Sequence, residues 1–378
     1  MDDTTLPRRQ LLLGALGSAA LAAAPALRAQ GRGELLLGQS AVLSGPLGKT
    51  ITALNQGMQL ALDQANATGG VHGQALRLVS LDDELKPDKA VANYKALATQ
   101  QRVSAFLGCV GSGTTAAAAD TLRETGLPSF GGYAVGDGAR AKAKGAAYFV
   151  RATYGREAEV LVNHLLTLGI DKIAVAHLAN PGGDEVVRSV SALLESRQVK
   201  LRGAGAVAND GANVAEVGRT LAAQAPQAVI LFLNAGLTAG LMDAILQAGH
   251  RPGFYGMSIV AGDAVASIIG SKARGLVVAQ AVPYPWSEVE PVALEYRRLC
   301  TARKAAPNYT SFEGYLNATL FIGALRAAAD TSPARLHAAI RGIHTRLAGM
   351  NVDFNDHDLS GSKFVELVQV AEGGRFVR

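Results

Sequence analysis

The stretch GCVGSGTTAAAAD, which runs from Gly108 to Asp120, closes an apolar β-like segment and opens an alanine-rich helical one. Its residues Gly111, Gly113 and Ala116 fit the spacing G-x-G-x-x-A of a dinucleotide-binding turn. The same turn also suits a smaller anion, because the first N–H groups of a helix are free to bind one. The rest of the chain decides between these two interpretations.

Short apolar segments alternate with amphipathic helical segments from Glu34 onward. In the first helical segment, residues 47–67, Ile51, Leu54 and Met58 recur at three- and four-residue spacing, which predicts one buried face. Strands that are apolar on both faces and are joined by helices form parallel sheets covered on two sides. The sequence therefore predicts an α/β fold of doubly wound parallel sheets.

This pattern occurs twice, once before about residue 152 and again over residues 153–283, where FYGMSIV (residues 254–260) is one of the predicted strands. Two long helical segments follow, and then two late strands, near Val352 and over residues 364–370. Segments that return after the second unit imply several crossovers between two lobes, which favours a crevice that closes about a hinge. We predict a first lobe of residues 30–152 plus 284–352, and a second lobe of residues 153–283 plus 353–378.

The first 29 residues predict a cleaved signal peptide. The pair Arg8–Arg9 precedes the apolar run LLLGALGSAALAAA (residues 11–24), and small residues follow it. As a helix this run reaches only about 21 Å, short of the ~30 Å hydrocarbon core of a bilayer. We expect cleavage after Ala26 or Ala29 and a periplasmic location, with Sec and twin-arginine export both open.

Composition and motifs argue against several classes of function. The 378 residues are 49% hydrophobic with a net charge of only +5, which excludes a disordered chain. The densest basic group, at residues 297–304, lies in one amphipathic helix without interleaved aromatic residues, so no nucleic-acid partner is predicted. The histidines lack metal-ligand spacing, no Walker lysine follows a glycine-rich turn, and Ser112 lies in no G-x-S-x-G elbow. We predict no enzyme activity, no cofactor and no metal.

Three other features are predicted to be structural. Cys109 ends an apolar strand, so we expect it and Cys300 to remain free thiols. The segment DFNDHDLSG (residues 353–361) resembles a calcium loop, but His357 stands where an oxygen ligand belongs, which indicates a solvated turn. The acidic residues 82–84 are expected to serve capping and solvation.

A dinucleotide site is disfavoured, because its turn should lie in the first βα unit, with an acidic residue at the end of the second strand. Here the turn lies in the third unit, and Asp137 is the only acid near the end of the next strand. Ser112 and free N–H groups of Gly113, Thr114 and Thr115 would instead suit a carboxylate. The alternative is a plain N-cap serine that faces solvent.

The sequence resembles the exported type I solute-binding proteins of ABC importers, of the leucine/isoleucine/valine-binding kind. The resemblance covers nearly the whole mature chain, and its motifs are SGPLG (residues 44–48), NATGGVHG (66–73), DDELKPDKA (82–90), GCVGSGTT (108–115), FVRATYGREAE (149–159) and SFEGYLNA (311–318). It implies a monomer of two lobes joined by three crossovers. The lobes would close over a small ligand and deliver it to a permease and ATPase complex in the inner membrane.

The resemblance places Ser112 at the serine that holds the ligand's carboxylate. Gly182 and Ala235 stand where amino-acid binders carry aromatic residues, and Val135 stands where they often carry a threonine. Ser258 stands where they place an acid against the ligand's ammonium group. The predicted ligand-binding residues are Ser112, Gly113, Thr114, Ser44, Tyr133, Ala134, Ser258 and Asn234.

The absence of an acidic residue at position 258 affects the predicted chemical class of the ligand. A buried ammonium group without a carboxylate partner costs several kcal/mol, so we favour an aromatic or other organic acid over an amino acid of the branched-chain class. Tyr133, Tyr284 and Trp286 are candidates either for ring contacts with such a ligand or for packing. A ligand-sensing receptor on the same scaffold is the alternative function.

Overall fold

A computed structural model describes residues 33–354 and 358–378 of the protein. The strands are β1 (Glu34–Ala41), β2 (Ala75–Asp82), β3 (Ala105–Val110), β4 (Ser129–Tyr133), β5 (Ala147–Tyr148), β6 (Ile173–Leu178), β7 (Gly203–Val207), β8 (Ala228–Phe232), β9 (Gly253–Gly256), β10 (Val277–Gln280), β11 (His344–Leu347), β12 (Met350–Asp353), β13 (Glu366–Val370) and β14 (Phe376–Val377). The helices are α1 (Gly45–Ala67), α2 (Pro87–Thr99), α3 (Ser112–Thr125), α4 (Asp137–Lys142), α5 (Tyr154–Thr167), α6 (Pro181–Glu195), α7 (Val214–Ala223), α8 (Ala235–Gln247), α9 (Gly262–Ile269), α10 (Pro291–Ala302), α11 (Tyr309–Ala327) and α12 (Pro333–Arg341). The predicted signal peptide lies outside the described residues, as do residues 355–357 of the predicted solvated turn.

The first lobe is built on a parallel sheet with the strand order β2-β1-β3-β4-β5. Successive side chains of a strand point to opposite faces, and this sheet buries both. Leu37 and Leu107 belong to the apolar cluster that contains the buried faces of α1 and α11. Phe106 belongs to a second cluster with Tyr94 and Leu97 of α2. Helices therefore cover both faces of the sheet.

The second lobe contains a sheet with the order β14-β13-β10-β9-β8-β6-β7. Strands β6 to β10 run parallel, whereas β13 and β14 are antiparallel additions at one edge. The late strands reach this edge only after the chain has passed through α10, α11 and α12. The predicted fold of two doubly wound, mainly parallel lobes is confirmed.

One predicted strand is shorter than its sequence indicated. In FYGMSIV, β9 ends at Gly256, and Ser258–Val260 form a 3₁₀ turn. The prediction was wrong over these last residues because the Ser258 backbone N–H donates a hydrogen bond to Glu157 at 2.8 Å. This tertiary contact outweighs the strand preference of the β-branched residues nearby.

Three chain segments connect the two sheets: residues 149–153, residues 281–290, and a third segment whose described residues are 354 and 358–365. The first and third segments lie side by side, because the Gly361 N–H donates to the Phe149 carbonyl oxygen at 2.7 Å. Because all three segments cross between the lobes, they are the predicted hinge. The exact boundaries of the lobes stay a prediction.

Helices α1 and α11 pack backbone against backbone. A Cβ atom at Gly57 of α1 would overlap the carbonyl oxygen of Ser311, and a Cβ atom at Gly314 of α11 would overlap that of Leu54. Glycine is therefore required at both positions for this close approach. Since α11 also covers β4, which leads into the crevice between the lobes, this contact supports the site described below.

Cys109 and Cys300 are free thiols, buried in two different apolar clusters. Among the described residues, no helix combines the length and apolar character needed to cross a membrane. Within the same residues, no group of three or more His, Cys, Asp or Glu side chains could hold a metal ion.

Candidate functional site

Ser112 is the first residue of α3 and follows Gly111, whose φ of 88° turns the chain from strand into helix. The Ser112 Oγ accepts a hydrogen bond from the Gly136 N–H at 2.9 Å. It also donates a long hydrogen bond of 3.5 Å to the carbonyl oxygen of Ala134. The hydroxyl therefore joins the start of α3 to the turn that follows β4, so Ser112 is more than a solvent-facing cap.

The first turn of α3 offers fewer free N–H groups than expected. The Thr115 N–H donates the first hydrogen bond within the helix, to the Gly111 carbonyl oxygen at 3.1 Å. The prediction that this N–H group is free was therefore wrong. The Thr114 hydroxyl turns back to the same carbonyl oxygen at 3.0 Å. Gly113 is exposed, with no heavy atom within 4 Å of a Cβ position. Space for a ligand therefore lies next to Gly113.

Tyr133 and Ala134 lie where β4 ends. Tyr133 is 4% exposed, and the guanidinium group of Arg151 lies over its ring at 5.0 Å. Ala134 has a φ of 56°, in the left-handed region, which costs a residue other than glycine about 1–3 kcal/mol. Such strain persists only where neighbouring contacts fix the backbone, and the contact of Ala134 with Ser112 is one of them.

The second lobe approaches Ser112 at the start of α6. A Cβ atom at Gly182 would lie 3.0 Å from the Ser112 Oγ and 3.7 Å from the ring of Phe232, which ends β8. The ring of Phe232 in turn packs edge-on against the ring of Tyr154, at 4.8 Å between centroids. Gly182 thus faces Ser112 from the second lobe, with Phe232 beside it and Tyr154 in contact with Phe232.

Two carboxylates connect the lobes reciprocally. Glu185 in α6 accepts hydrogen bonds from the N–H groups of Asp137 and Gly138 at the start of α4, the latter at 3.1 Å. Asp137 in turn accepts hydrogen bonds from the N–H groups of Tyr154 and Gly155 at the start of α5, both at 3.0 Å. Each lobe thus supplies a negative charge to the positive N-terminal end of a helix in the other. We call Glu185 and Asp137 with these contacts the carboxylate clasp.

A buried ionic cluster joins the lobes at the first crossover. The two terminal nitrogens of Arg151 lie 3.6 Å from the carboxylate of Glu157 and 3.5 Å from that of Glu313. Arg151 also donates to the Ser258 Oγ, and Ser258 donates to Glu157 through its Oγ and its N–H, both at 2.8 Å. Glu313 belongs to α11 of the first lobe, whereas Glu157 and Ser258 belong to the second. We call these four residues the ionic cluster.

Burial controls the protonation of the ionic cluster. It raises the pKa of the Glu157 and Glu313 carboxyl groups, and the charge of Arg151 opposes this effect. Burial lowers the pKa of Arg151, but the charges of Glu313 and Glu157 outweigh burial, so this pKa is raised. Arg151 therefore stays charged and serves as the counter-ion of both carboxylates.

Ser44 and Asn234 each precede a helix. Ser44 is exposed before α1, close to the Asp82 carboxyl group at the end of β2. The Asn234 Oδ1 caps α8 by accepting a hydrogen bond from the Leu237 N–H at 3.0 Å. Asn234 therefore has a local structural role, and whether either side chain also contacts a ligand stays a prediction.

The two aromatic residues of the second crossover pack against each other. The ring centroids of Tyr284 and Trp286 are 5.2 Å apart. Trp286 also contacts Tyr309 at 5.5 Å and stacks on Phe376 at 5.8 Å. Of the two roles expected for these rings, the structure favours packing at the hinge.

The sequence analysis did not identify Arg151, Tyr154 and Glu157 as crevice residues. All three lie in FVRATYGREAE, which carries the resemblance but was assigned no site role. The available signal was a charged residue directly after an apolar strand. Arg and Glu are almost never fully buried unless they are paired, so such a residue calls for a partner.

The carboxylate clasp predicts how a single substitution changes lobe closure. We expect Glu185→Ala to shift the ligand-free protein towards an open state, because two N–H groups exchange a carboxylate for water. A hydrogen bond to a charged group contributes about 1.5–3 kcal/mol. Since Glu185 is partly exposed, we expect about a 10-fold change in the ratio of closed to open protein. Small-angle X-ray scattering would record it as a larger radius of gyration.

Asp184→Ala is the matched control for this experiment. Asp184 neighbours Glu185 in α6, but its side chain is 58% exposed, and the His177 Nδ1, 4.0 Å from its carboxylate, lies in the same lobe. Its removal should leave the radius of gyration unchanged. Equal values for wild type and both variants would contradict a role of the clasp in closure.

Two parallel-sheet lobes with three crossovers, and a crevice whose walls meet at Ser112 and Gly182, define a two-lobed binding protein. A family model described as periplasmic binding protein matches residues 34–375. The chain belongs to this family, in agreement with the resemblance to type I solute-binding proteins of the leucine/isoleucine/valine-binding kind. The family consists of substrate-binding proteins that act outside the cytoplasm.

Among solved structures, the chain is similar to a substrate-binding periplasmic protein from Ralstonia solanacearum, with 26% identity, a TM-score of 0.83 and coverage of 91% of this chain and 99% of that one. An extracellular ligand-binding receptor from Verminephrobacter eiseniae shares the fold at 24% identity and a TM-score of 0.83, over 91% of this chain and 100% of that one. Leu/Ile/Val-binding protein homolog 7 of Brucella melitensis is 30% identical over 104 residues, or 28% of this chain and 26% of that protein. The chain thus matches about a quarter of the length of this curated relative.

Proposed function

We propose that the protein is the solute-binding component of an ABC importer and binds a small carboxylate-bearing ligand between its lobes. It is a monomer that acts in the periplasm after its signal peptide, residues 1–29, is removed. It has no catalytic activity and delivers its ligand to a permease and ATPase complex in the inner membrane. Membership of a family of substrate-binding proteins supports the binding role.

The hydrogen bonds of Ser258 are the basis for the proposed class of ligand. Its hydroxyl donates to Glu157 and accepts from Arg151, so a guanidinium group occupies the place that the resemblance assigns to an acid. Both oxygens of Glu157 accept hydrogen bonds from Ser258, so this acid offers no free acceptor to a ligand ammonium group. A buried ammonium group without a carboxylate partner is costly. The ligand is therefore an aromatic or other organic acid without an amine.

The Ser112 hydroxyl and the N–H groups of Gly113 and Thr114 hold the carboxylate end of this ligand. The Ser112 Oγ already accepts a hydrogen bond from the Gly136 N–H, so its hydrogen is directed to other acceptors. Its present acceptor, the Ala134 carbonyl oxygen, is 3.5 Å away, and a carboxylate replaces it at shorter range. The lobe walls are completed by Ser44, Tyr133, Ala134, Ser258 and Asn234.

A thermal-shift screen of the mature protein tests this function. We expect monocarboxylates without an amine, such as benzoate or hexanoate, to raise the melting temperature, whereas leucine, isoleucine and valine do not. A ligand present at 100 times its dissociation constant stabilises the folded state by about 2.7 kcal/mol. Benzamide and hexanamide are the matched controls, because they keep the shape of the acids and lose the charge.

The outcomes of the screen separate the two parts of the proposal. Stabilisation by leucine but by no amine-free acid would refute the ligand class and keep the binding role. Equal stabilisation by acids and amides would refute a carboxylate site at Ser112. The absence of stabilisation by every acid and amino acid tested would count against a small carboxylate ligand altogether.

A further inference from the structure

The side chains of Arg151 and Tyr154 carry three buried hydrogen-bond donors that have no hydrogen-bond partner among the described residues, and one of the three, the Nη1 of Arg151, lies in the ion pair with Glu313 at 3.5 Å. The other two are the Nε of Arg151 and the hydroxyl of Tyr154, in side chains that are 1% and 0% exposed. Buried donors are almost always paired, so such exceptions need an explanation. We infer that these two donors form a second half of the ligand site, which binds a neutral acceptor, a hydroxyl or carbonyl oxygen, on the ligand. This inference rests on the proposed function.

Both donors belong to the same crevice as Ser112. Tyr154 contacts Phe232, and the ring of Phe232 lies 3.7 Å from the Cβ position of Gly182, which itself lies 3.0 Å from the Ser112 Oγ. This series of contacts leads from Tyr154 to Ser112. Arg151 lies over the ring of Tyr133, at the end of the strand that leads to the Ser112 turn. A ligand held at Ser112 therefore extends towards both donors.

The charges around Arg151 select a neutral acceptor. Its guanidinium group already faces two carboxylates, those of Glu157 and Glu313, at 3.6 Å and 3.5 Å. The nearby guanidinium group of Arg140 supplies no free donor pair, because it donates to three backbone carbonyl oxygens at 2.9–3.1 Å. A second ligand carboxylate would add a third negative charge at this end. A hydroxyl or carbonyl oxygen accepts from both donors without that repulsion.

The inference can be tested by removing one atom, the hydroxyl oxygen of Tyr154. Its ring packs against Phe232, whereas its hydroxyl contributes no hydrogen bond within the described residues. Tyr154→Phe therefore removes only the proposed ligand contact and leaves the packing intact. A purely structural tyrosine would predict the same ligand preference in the variant as in the wild type.

Isothermal titration calorimetry of the mature wild type and Tyr154→Phe is the experiment. The probes are matched monocarboxylates with and without a terminal hydroxyl, namely 4-hydroxybenzoate with benzoate and 6-hydroxyhexanoate with hexanoate, and the dicarboxylates terephthalate and adipate. In at least one pair we expect the hydroxylated acid to bind the wild type about 10-fold more tightly, the ratio for one hydrogen bond of about 1.4 kcal/mol. The corresponding dicarboxylate should bind more weakly than the plain acid. In Tyr154→Phe the ratio of the affinities for the hydroxylated and the plain acid should fall towards 1.

Tyr296→Phe is the control variant, because the Tyr296 hydroxyl is buried and bound to Asn308 and Ser311, away from the crevice. It should melt at a lower temperature and keep the wild-type preference. If the wild type binds plain and hydroxylated acids equally, prefers the dicarboxylates, or keeps its preference in Tyr154→Phe, the inference is overturned while the carboxylate site stands. If no acid binds, the proposed function fails with it.

Discussion

Arg151→Met is expected to lower the free energy of unfolding by about 3–5 kcal/mol, the cost of removing one partner from a buried ion pair. The side chains of Glu157 and Glu313 are 0% and 6% exposed, so water cannot replace the lost counter-ion. Methionine keeps much of the volume of the arginine stem, so the effect arises from charge more than from a cavity. Denaturation by urea, followed by circular dichroism, measures the change.

The loss should depend on pH, with a sign fixed by the two carboxyl groups. Burial raises the pKa of Glu157 and Glu313 above the usual 4.5 of a glutamate side chain, and losing the Arg151 charge raises it further. A carboxyl group with a raised pKa binds its proton more tightly in the folded state, so its contribution to stability is present below about pH 4.5 and is lost as pH rises through the folded-state pKa. The deficit of Arg151→Met relative to wild type should therefore be smaller near pH 5 than near pH 8.

Arg77→Met is the matched control for Arg151→Met. Arg77 pairs with Glu34 at 2.8 Å, but both side chains are about half exposed, at 53% and 52%. Exposed ion pairs contribute about 0–1 kcal/mol, and salt and water screen them. Equal losses in the two variants, or a deficit of Arg151→Met that grows towards low pH, would contradict the account of the ionic cluster.

The fold could be predicted because its determinants are local. Ile51, Leu54 and Met58 recur at helical spacing, and all three are at most 1% exposed in α1. Gly111 marks the turn between β3 and α3, and its positive φ explains why glycine stands there. Such signals lie within a few residues of the structure that they specify, so a single sequence suffices to read them.

The inner part of the site could not be predicted in the same way, because its partners are distant in sequence. Arg151 donates a hydrogen bond to Ser258, which is 107 residues away in the sequence, and Ser258 donates one to Glu157, which is 101 residues away. The position of Ser258 suggested a missing acid, but nothing local indicated that an arginine would occupy the space. In the sequence, Glu185 likewise looks like an ordinary polar residue of an amphipathic helix. Only the fold brings its carboxylate to the N–H groups at the start of α4.

Gly314→Ala is expected to destabilise the protein by about 3 kcal/mol or more, at the upper end of the range for overpacked cores. The added methyl group would overlap the carbonyl oxygen of Leu54 in α1, and a backbone atom cannot rotate away as a flexible side chain can. Relief requires α1 and α11 to move apart, against their extensive shared apolar surface. Since Glu313 precedes this glycine, the movement also weakens the ion pair with Arg151. Ligand affinity should fall together with the melting temperature.

Gly323→Ala, in the same helix, separates this steric effect from the general effect of replacing glycine by alanine. Gly323 is exposed, and no heavy atom lies within 4 Å of its Cβ position. Alanine is favoured over glycine in a helix interior by about 0.8–1 kcal/mol, so this variant should melt at an equal or higher temperature than wild type. Opposite signs for the two variants would show that the backbone contact between α1 and α11 requires Gly314. A stabilised Gly314→Ala would mean that the two helices lie further apart in solution than this packing allows.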